Sequence, residues 1–188
     1  MALTCHELYG YTLHQWGRLD LETRIHFAAG RYMGWKYGRD VRFAYSSPGI
    51  PDKLVAAPGH VWEIDCSSMT TSILTACFPS SPWGSRGYGD MQVYADRLPA
   101  QYDSPIIAVE NAGIGSRLAQ GFEVGRWHLV QGWKKLEPPR GHAFLVRNDG
   151  DSMLLVESQF GVGPQWGRTT EAKLRKRYPA ALYAAALG

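Results

Sequence analysis

Residues 141–159, GHAFLVRNDGDSMLLVESQ, consist of two apolar segments separated by a polar turn. The apolar residues follow a period of about two, which is the period of a β-strand. The sequence Asn-Asp-Gly-Asp at 148–151 is typical of the turn of a β-hairpin. We therefore predict two antiparallel strands, at 141–147 and 153–159, joined by this turn.

The segments around this hairpin extend the prediction to the fold class. WHLVQGW (127–133) and PIIAV (105–109) are interpreted as further strands, and DMQVYADRL (90–98) as a short helix. The tail at 170–188 is interpreted as a short helix that packs on the sheet. Because helices come first and antiparallel strands follow, the sequence predicts an α+β fold.

Two helices are predicted before the sheet. The first begins after Asp20, a helix-capping residue, and ends at Gly34. The second begins at Asp65 and is stopped by Pro79. Away from its apolar stripe the second helix carries Ser and Thr, which are poor helix formers, so tertiary packing must hold it. A local conflict of this kind often marks a functional site.

The composition is that of one globular domain spanning residues 1–188. Hydrophobic residues make up 45% of the chain, charged residues 20%, and the net charge is only +3. The densest basic run, KLRKRY (173–178), is interpreted as a solvated face, so no nucleic acid partner is expected. No stretch has the length to cross a membrane, and the start of the chain (1–16) lacks the pattern of a signal peptide. Synthesis in the cytoplasm without a signal peptide is therefore expected, and the oligomeric state is left open.

The three cysteines, Cys5, Cys66 and Cys77, are an odd and sparse set that does not suggest a disulfide framework. Cys66 and Cys77 lie at opposite ends of the predicted helix, about 16 Å apart along its axis, which no disulfide spans. The sequence has no C-x-x-C or H-x-x-x-H pair. Neither a metal nor another cofactor is expected.

Cys66 has the sequence context of a reactive thiol. It follows Asp65, which is predicted to cap the helix, and precedes a run of hydroxyl residues that begins at Ser67. A helix N-terminus carries a partial positive charge and unpaired N–H groups, which favour the thiolate and can hold an oxyanion. The alternative is a buried structural cysteine that begins a helix, since free cysteines are among the most buried residues.

His142 is the candidate general base for this thiol. It opens a predicted strand directly after Pro138-Pro139-Arg140-Gly141, and a histidine at a strand edge behind such a turn is less typical of a core. His60, in a predicted loop close in sequence to Cys66, is a second candidate.

The hairpin predicts a partner for His142. If residues 148–151 form a four-residue turn, Arg147 pairs with Ser152 and His142 lies directly across from Glu157, on the same face. A carboxylate there would orient the imidazole ring and stabilise its protonated form. A slip of one residue would instead turn Glu157 to the other face.

The order of these segments resembles the NlpC-type cysteine peptidases and their CHAP relatives, which are papain-like enzymes that cut peptidoglycan peptides. The resemblance spans roughly residues 20–160 and rests on RIHFAAGRYMGWKYG, EIDCSSM, GHAFLV and LLVESQF. It implies a papain-like fold in which the catalytic cysteine begins a helix that packs on an antiparallel sheet. It also implies that Cys66 is the nucleophile, His142 the general base and Glu157 the third member.

The resemblance further implies the residues that surround the nucleophile. Tyr37 matches a family tyrosine that assists the oxyanion or the substrate, and Gln159 matches the CHAP asparagine two residues after the glutamate. With Asp65 and Ser67, these residues form the expected oxyanion and substrate-binding set.

A cysteine-dependent peptidoglycan hydrolase is therefore expected, either a stem-peptide endopeptidase or an N-acetylmuramoyl-L-alanine amidase. Its substrate is a peptidoglycan peptide or glycopeptide, and it acts at the bacterial cell wall as a phage lysin, a virion-associated lysin or a delivered effector. The alternatives are a deamidase, protease or acyltransferase on a non-wall substrate, and a non-catalytic virion or binding domain.

Overall fold

The computed structural model describes residues 4–38, 63–78, 107–110, 122–134, 141–179 and 181–187. The helix predicted at 90–98, the candidate base His60 and the Pro-Pro-Arg turn before Gly141 lie outside these residues. The chain divides into two compact units. The first contains 1–88 with 158–165, and the second contains 89–157 with 166–188. The prediction of a single catalytic domain stays a prediction.

The described part of the first unit contains four helices: α1 (Cys5–Leu8), α2 (Leu13–Arg18), α3 (Leu21–Gly30) and α4 (Cys66–Cys77). The N-caps of the first three are Thr4, Thr12 and Asp20, whose side chains accept from backbone N–H groups of the first turn. The predicted start of α3 after Asp20 is confirmed, but the helix ends at Gly30, four residues before Gly34. Both predicted ends of α4 are confirmed.

Tertiary contacts hold the Ser/Thr-rich helix α4, as its poor propensity requires. The Trp16 indole of α2 donates to the carbonyl of Ala76 at 2.7 Å, and the Arg24 guanidinium of α3 donates to the carbonyl of Cys77. The last carbonyls of a helix have no partner within the helix. The two preceding helices therefore satisfy the C-terminal end of α4.

The strands form one sheet in the order β1-β6-β2-β3-β4-β5. Their bounds are β1 (Ile107–Glu110), β2 (Trp127–Trp133), β3 (Gly141–Asn148), β4 (Met153–Gln159), β5 (Gly163–Thr169) and β6 (Ala181–Ala186). Helix α5 (Glu171–Arg177) lies between β5 and β6 along the chain. The predicted strands β1 to β4 and the predicted tail helix are confirmed. β5 and β6 were not predicted.

The β3–β4 hairpin is antiparallel, but its predicted register is wrong by two residues. Arg147 pairs with Leu154 and Asn148 with Met153, so the turn is 149–152. Successive strand residues point to opposite faces, so a shift of two leaves each side chain on its predicted face.

The main core of the second unit lies on one face of this sheet. β3 contributes Phe144 and Val146, and helix α5 covers them with Leu174 and Tyr178. His142 and Glu157 have the same alternation as the core residues of their strands, so the face continues from the core to these two side chains. The remaining core residues are Phe122, Val130, Met153, Leu155, Leu182 and Ala184.

The architecture of helices followed by an antiparallel sheet confirms the α+β class. Within the described ranges, no helix combines the length and the apolar character needed to span a bilayer.

Candidate active site

Cys66 is the first residue of α4, in the first unit. The carbonyl of Asp65 accepts the backbone N–H of Met69 at 3.1 Å, which places Asp65 at the N-cap position predicted for it. The Cys66 thiol is free and buried, with 7% of the residue exposed. The first N–H groups of a helix have no partner within it, so the start of α4 offers donors beside the sulfur.

Two other segments meet the chain just before Cys66. The N–H of Ile64 donates to the carbonyl of Lys36 at 3.0 Å, and the carbonyl of Ile64 accepts the Ser158 hydroxyl at 2.7 Å. Ile64, two residues before Cys66, is therefore tied both to the segment that follows α3 and to the end of β4.

These two segments also contact each other. The rings of Tyr37 and Phe160 meet edge to face, with centroids 5.4 Å apart. Gly163 has a φ of +98°, and a Cβ there would lie 2.5 Å from the carbonyl oxygen of Trp35. Only glycine fits this approach. Tyr37 and the segment that carries Gln159 thus belong to the same assembly as the start of α4.

A short polar contact in the second unit joins His142 and Glu157. The imidazole Nε2 lies 2.7 Å from Oε2 of the carboxylate, which is 2% exposed, while the imidazole is 15% exposed. The predicted contact between these residues is confirmed, although His142 is not directly opposite Glu157 as predicted. Because an ionised carboxylate only accepts hydrogen bonds, Nε2 carries the proton and Nδ1 is the basic nitrogen of the neutral ring.

Glu157 is ionised despite its burial. Burial raises the pKa of its carboxyl group, but the hydrogen bonds and positive charges of His142 and Arg177 outweigh this and hold the pKa below the ordinary value of 4.5. A charged acceptor is thus fixed beneath the imidazole at neutral pH.

Arg177 is a partner of Glu157 that the sequence analysis missed. Its Nη1 donates to Oε1 at 3.0 Å and its Nη2 lies 3.0 Å from Oε2, so the guanidinium faces both carboxylate oxygens. The interpretation of 173–178 as a solvated face is therefore wrong for Arg177, and also for Leu174 and Tyr178, which are buried. A hydrophobic i,i+4 pair within a basic run is the signal that indicates a packed helix face here.

Aromatic rings complete the surroundings of His142. Its ring lies parallel to that of Tyr178, with a centroid distance of 6.1 Å and an angle of 19°. Phe144 stacks on both rings at 5.4 Å. The Arg177 guanidinium lies over the Tyr178 ring at 5.2 Å. The imidazole is therefore held by a ring stack as well as by the carboxylate.

The predicted site residues fall into two groups. Tyr37, Asp65, Cys66 and Gln159 belong to the first unit, where the amide oxygen of Gln159 accepts from Gln165 at 2.9 Å. His142 and Glu157 belong to the second unit and are hydrogen-bonded to each other there. Ser67 lies in the first turn of α4, and its side chain is outside the part that the structure describes.

Over the same described residues, no cluster of three or more His, Cys, Asp or Glu side chains is arranged to hold a metal ion. Compared with known proteins, the chain gives no match to a protein-family model, a curated protein or a solved structure.

Proposed function

We propose that this chain is a cysteine hydrolase of papain-like NlpC/CHAP architecture that cleaves amide bonds in bacterial peptidoglycan. Cys66 is the nucleophile, His142 the general base and acid, and Glu157 the residue that orients the imidazole. The substrate is a stem peptide or the N-acetylmuramoyl-L-alanine linkage. The enzyme acts at the cell wall, as a phage lysin or a delivered effector.

The observation that carries this proposal is the hydrogen bond between His142 and Glu157. A buried carboxylate is costly unless it is paired and hydrogen-bonded. Here Oε2 of Glu157 accepts a hydrogen bond from Nε2 of a partly exposed imidazole. Fixing Nε2 as the proton-bearing atom leaves Nδ1 as the base. This is the arrangement that a nucleophile–base–orienter triad requires.

A free thiol at the start of a twelve-residue helix supports the choice of nucleophile. The start of a helix carries a partial positive charge and presents backbone N–H groups. In this proposal, backbone N–H groups of the first turn stabilise the oxyanion of an acyl-transfer intermediate. Tyr37 and Gln159 add further polar groups on segments tied to the start of α4.

Acylation begins when His142 Nδ1 takes the thiol proton of Cys66. The sulfur attacks the amide carbonyl carbon, and the carbonyl electrons move to the oxygen to give a tetrahedral oxyanion. When this intermediate collapses, the C–N bond breaks and the imidazolium gives its proton to the leaving amine. The products of this half-reaction are a free amine and a Cys66 thioester.

Deacylation uses the same groups in the opposite sense. His142 takes a proton from water, whose oxygen attacks the thioester carbon. The C–S bond then breaks, the carboxylic acid leaves, and the sulfur is protonated again by His142. Glu157 stays ionised throughout and stabilises each imidazolium that forms.

The test is hydrolysis of purified cell walls, followed by gel zymography and by mass spectrometry of the released fragments. We expect Cys66→Ala to abolish release, whereas Cys77→Ala, a matched change at the other end of α4, should keep substantial activity. The masses of the fragments identify the bond that is cut. Full activity in Cys66→Ala would end the cysteine-hydrolase proposal.

Thiol labelling tests the partnership of Cys66 with His142 without any substrate. We expect iodoacetamide to label Cys66 faster in the parent protein than in His142→Ala, because the base promotes thiolate formation. Rapid Cys66 labelling without wall hydrolysis would instead favour a deamidase, protease or acyltransferase with another acyl substrate. Slow labelling that does not depend on His142 would favour a non-catalytic domain.

A further inference from the structure

We propose that Arg177, with Tyr178 beside it, is a positioning residue that fixes the His142–Glu157 pair from the C-terminal end of helix α5. This inference rests on the catalytic role proposed for that pair, and assigns a function to a basic run that the sequence analysis treated as solvated surface. Arg177 contacts neither the substrate nor the sulfur in this proposal, and acts only through Glu157.

The contacts form a closed ring of four side chains. His142 Nε2 is 2.7 Å from Glu157 Oε2, and the two guanidinium nitrogens of Arg177 are each 3.0 Å from one carboxylate oxygen. Arg177 in turn lies over Tyr178, whose ring is parallel to that of His142. A carboxylate held at both oxygens cannot rotate, so the direction of its bond to the imidazole is fixed.

Gly132 shows that the position of Tyr178 is specified by the fold. Gly132 is paired with His142 across the β2–β3 ladder, and a Cβ at Gly132 would lie 2.5 Å from Cγ of Tyr178. The Tyr178 ring therefore occupies the space that the side chain of any residue other than glycine would fill at position 132. This close packing places the end of α5 against β2 and β3, and β3 carries His142.

Arg177 also neutralises the charge of Glu157. A carboxylate that is 2% exposed is costly to keep ionised without positive charge beside it. The charge of Arg177 compensates it whether the His142 imidazole is neutral or protonated. Arg177 supplies that compensation through the bidentate geometry that a lysine does not reproduce.

The test compares Arg177→Met and Arg177→Lys with Arg175→Met as the matched control. Arg175 lies on the same helix, and its Nε and Nη2 both donate to Oε1 of Glu171. Carboxylate-labelled and imidazole-labelled protein gives the pKa of Glu157 and the tautomer of His142 by NMR. Neither reading needs a substrate.

We expect Arg177→Met to raise the pKa of Glu157 and to weaken the single-tautomer signature of His142, while Arg175→Met changes neither. On cell walls, Arg177→Met should lower kcat by roughly tenfold to a hundredfold. Arg177→Lys should restore part of the pKa effect, because its charge remains while the fork is lost.

If Arg177→Met and Arg175→Met give the same Glu157 pKa and the same kcat, Arg177 does not position the His142–Glu157 pair and the inference is overturned. A fall in thermal stability without a change in either NMR reading also overturns it. Failure of the proposed function has a different signature, namely wall hydrolysis that persists in Cys66→Ala. The NMR readings then still decide whether Arg177 positions the pair.

Discussion

At the scale of single residues, the proposed chemistry depends on which imidazole nitrogen of His142 holds the proton. The hydrogen bond between His142 and Glu157 assigns the imidazole proton to Nε2, so the tautomer of the neutral ring follows from a distance of 2.7 Å and from the charge of a buried carboxylate. An amide in place of the carboxylate removes the charge but keeps nearly the same shape. Glu157→Gln therefore isolates the electrostatic part of the contact.

We expect Glu157→Gln to lower kcat for wall hydrolysis by about a hundredfold or more, because a neutral amide does not stabilise the imidazolium or select its tautomer. The matched control is Asp149→Asn, which removes a carboxylate from the turn of the same hairpin, where Asp149 pairs with Arg147 and Arg168. Steady-state kinetics measures both variants. Parental turnover in Glu157→Gln would mean that His142 has another orienting group, and Gln159 is the next residue to change.

At the scale of elements, β2 and the end of α5 approach each other closely at Gly132 and Tyr178. β2 is paired on both sides, with β3 and with β6, so its backbone has little freedom to move away from Tyr178. The helix end and the strand therefore pack without overlap only when residue 132 is glycine.

We expect Gly132→Ala to lower the free energy of unfolding by about 1–3 kcal/mol through overpacking, as measured by urea denaturation. Gly17→Ala is the control, since a Cβ at Gly17 in α2 meets nothing within 4 Å. That change should be neutral or stabilise by about 0.5–1 kcal/mol. In a Tyr178→Ala background the cost of Gly132→Ala should largely vanish, and an undiminished cost would place the clash elsewhere.

Elements with strong local signals were predictable from the sequence. The Asp20 cap, the ends of α4, and strands β2 and β4 follow from capping chemistry and periodicity, and the face shared by His142 and Glu157 follows from strand parity alone. The exact register did not, because residues 148–151 and 149–152 are equally good turn sequences.

The missed elements are those where tertiary contacts override local preference. β6 is ALYAAA, and Ala is the best helix former and is depleted in strands, yet pairing with both β1 and β2 makes this segment a strand. β5, GPQWGRT, has two glycines and a proline and no period of two. Arg177 could not be assigned to Glu157, because nothing local brings together residues twenty positions apart.

At the scale of the whole molecule, a second histidine controls stability in acid. His128 on β2 is fully buried, and burial holds its pKa below the ordinary value of 6.5, against smaller opposing contributions from Arg126 and Glu123. Its Nε2 accepts the backbone N–H of Glu123 at 3.3 Å. Protonation would turn this acceptor into a donor that faces another donor.

The signs of the two shifts give two pH windows. The pKa of His128 is lower in the folded chain than in the unfolded chain, so its contribution is present above pH 6.5 and is lost as the pH falls towards the folded value. The lowered pKa of Glu157 acts in the same direction below about pH 4.5. Each group adds a slope of at most about 1.4 kcal/mol per pH unit within its window.

We therefore expect His128→Gln, which keeps an acceptor for Glu123, to flatten the loss of stability just below pH 6.5. Glu157→Gln should flatten only the loss below pH 4.5. The measurement is the urea midpoint of unfolding as a function of pH, compared between the parent protein and the two variants. A parental slope below pH 6.5 in His128→Gln would assign that window to a different group.

The place of β6 in the sheet has a consequence for how the protein is made. β6 follows every other strand along the chain but lies between β1 and β2. While a ribosome is still adding residues 181–186, β1 and β2 each have an unpaired edge towards the missing strand. Open edges of this kind invite pairing with other chains. During synthesis the nascent protein is therefore most exposed to aggregation just before β6 emerges, and chaperone binding has the greatest benefit at that moment.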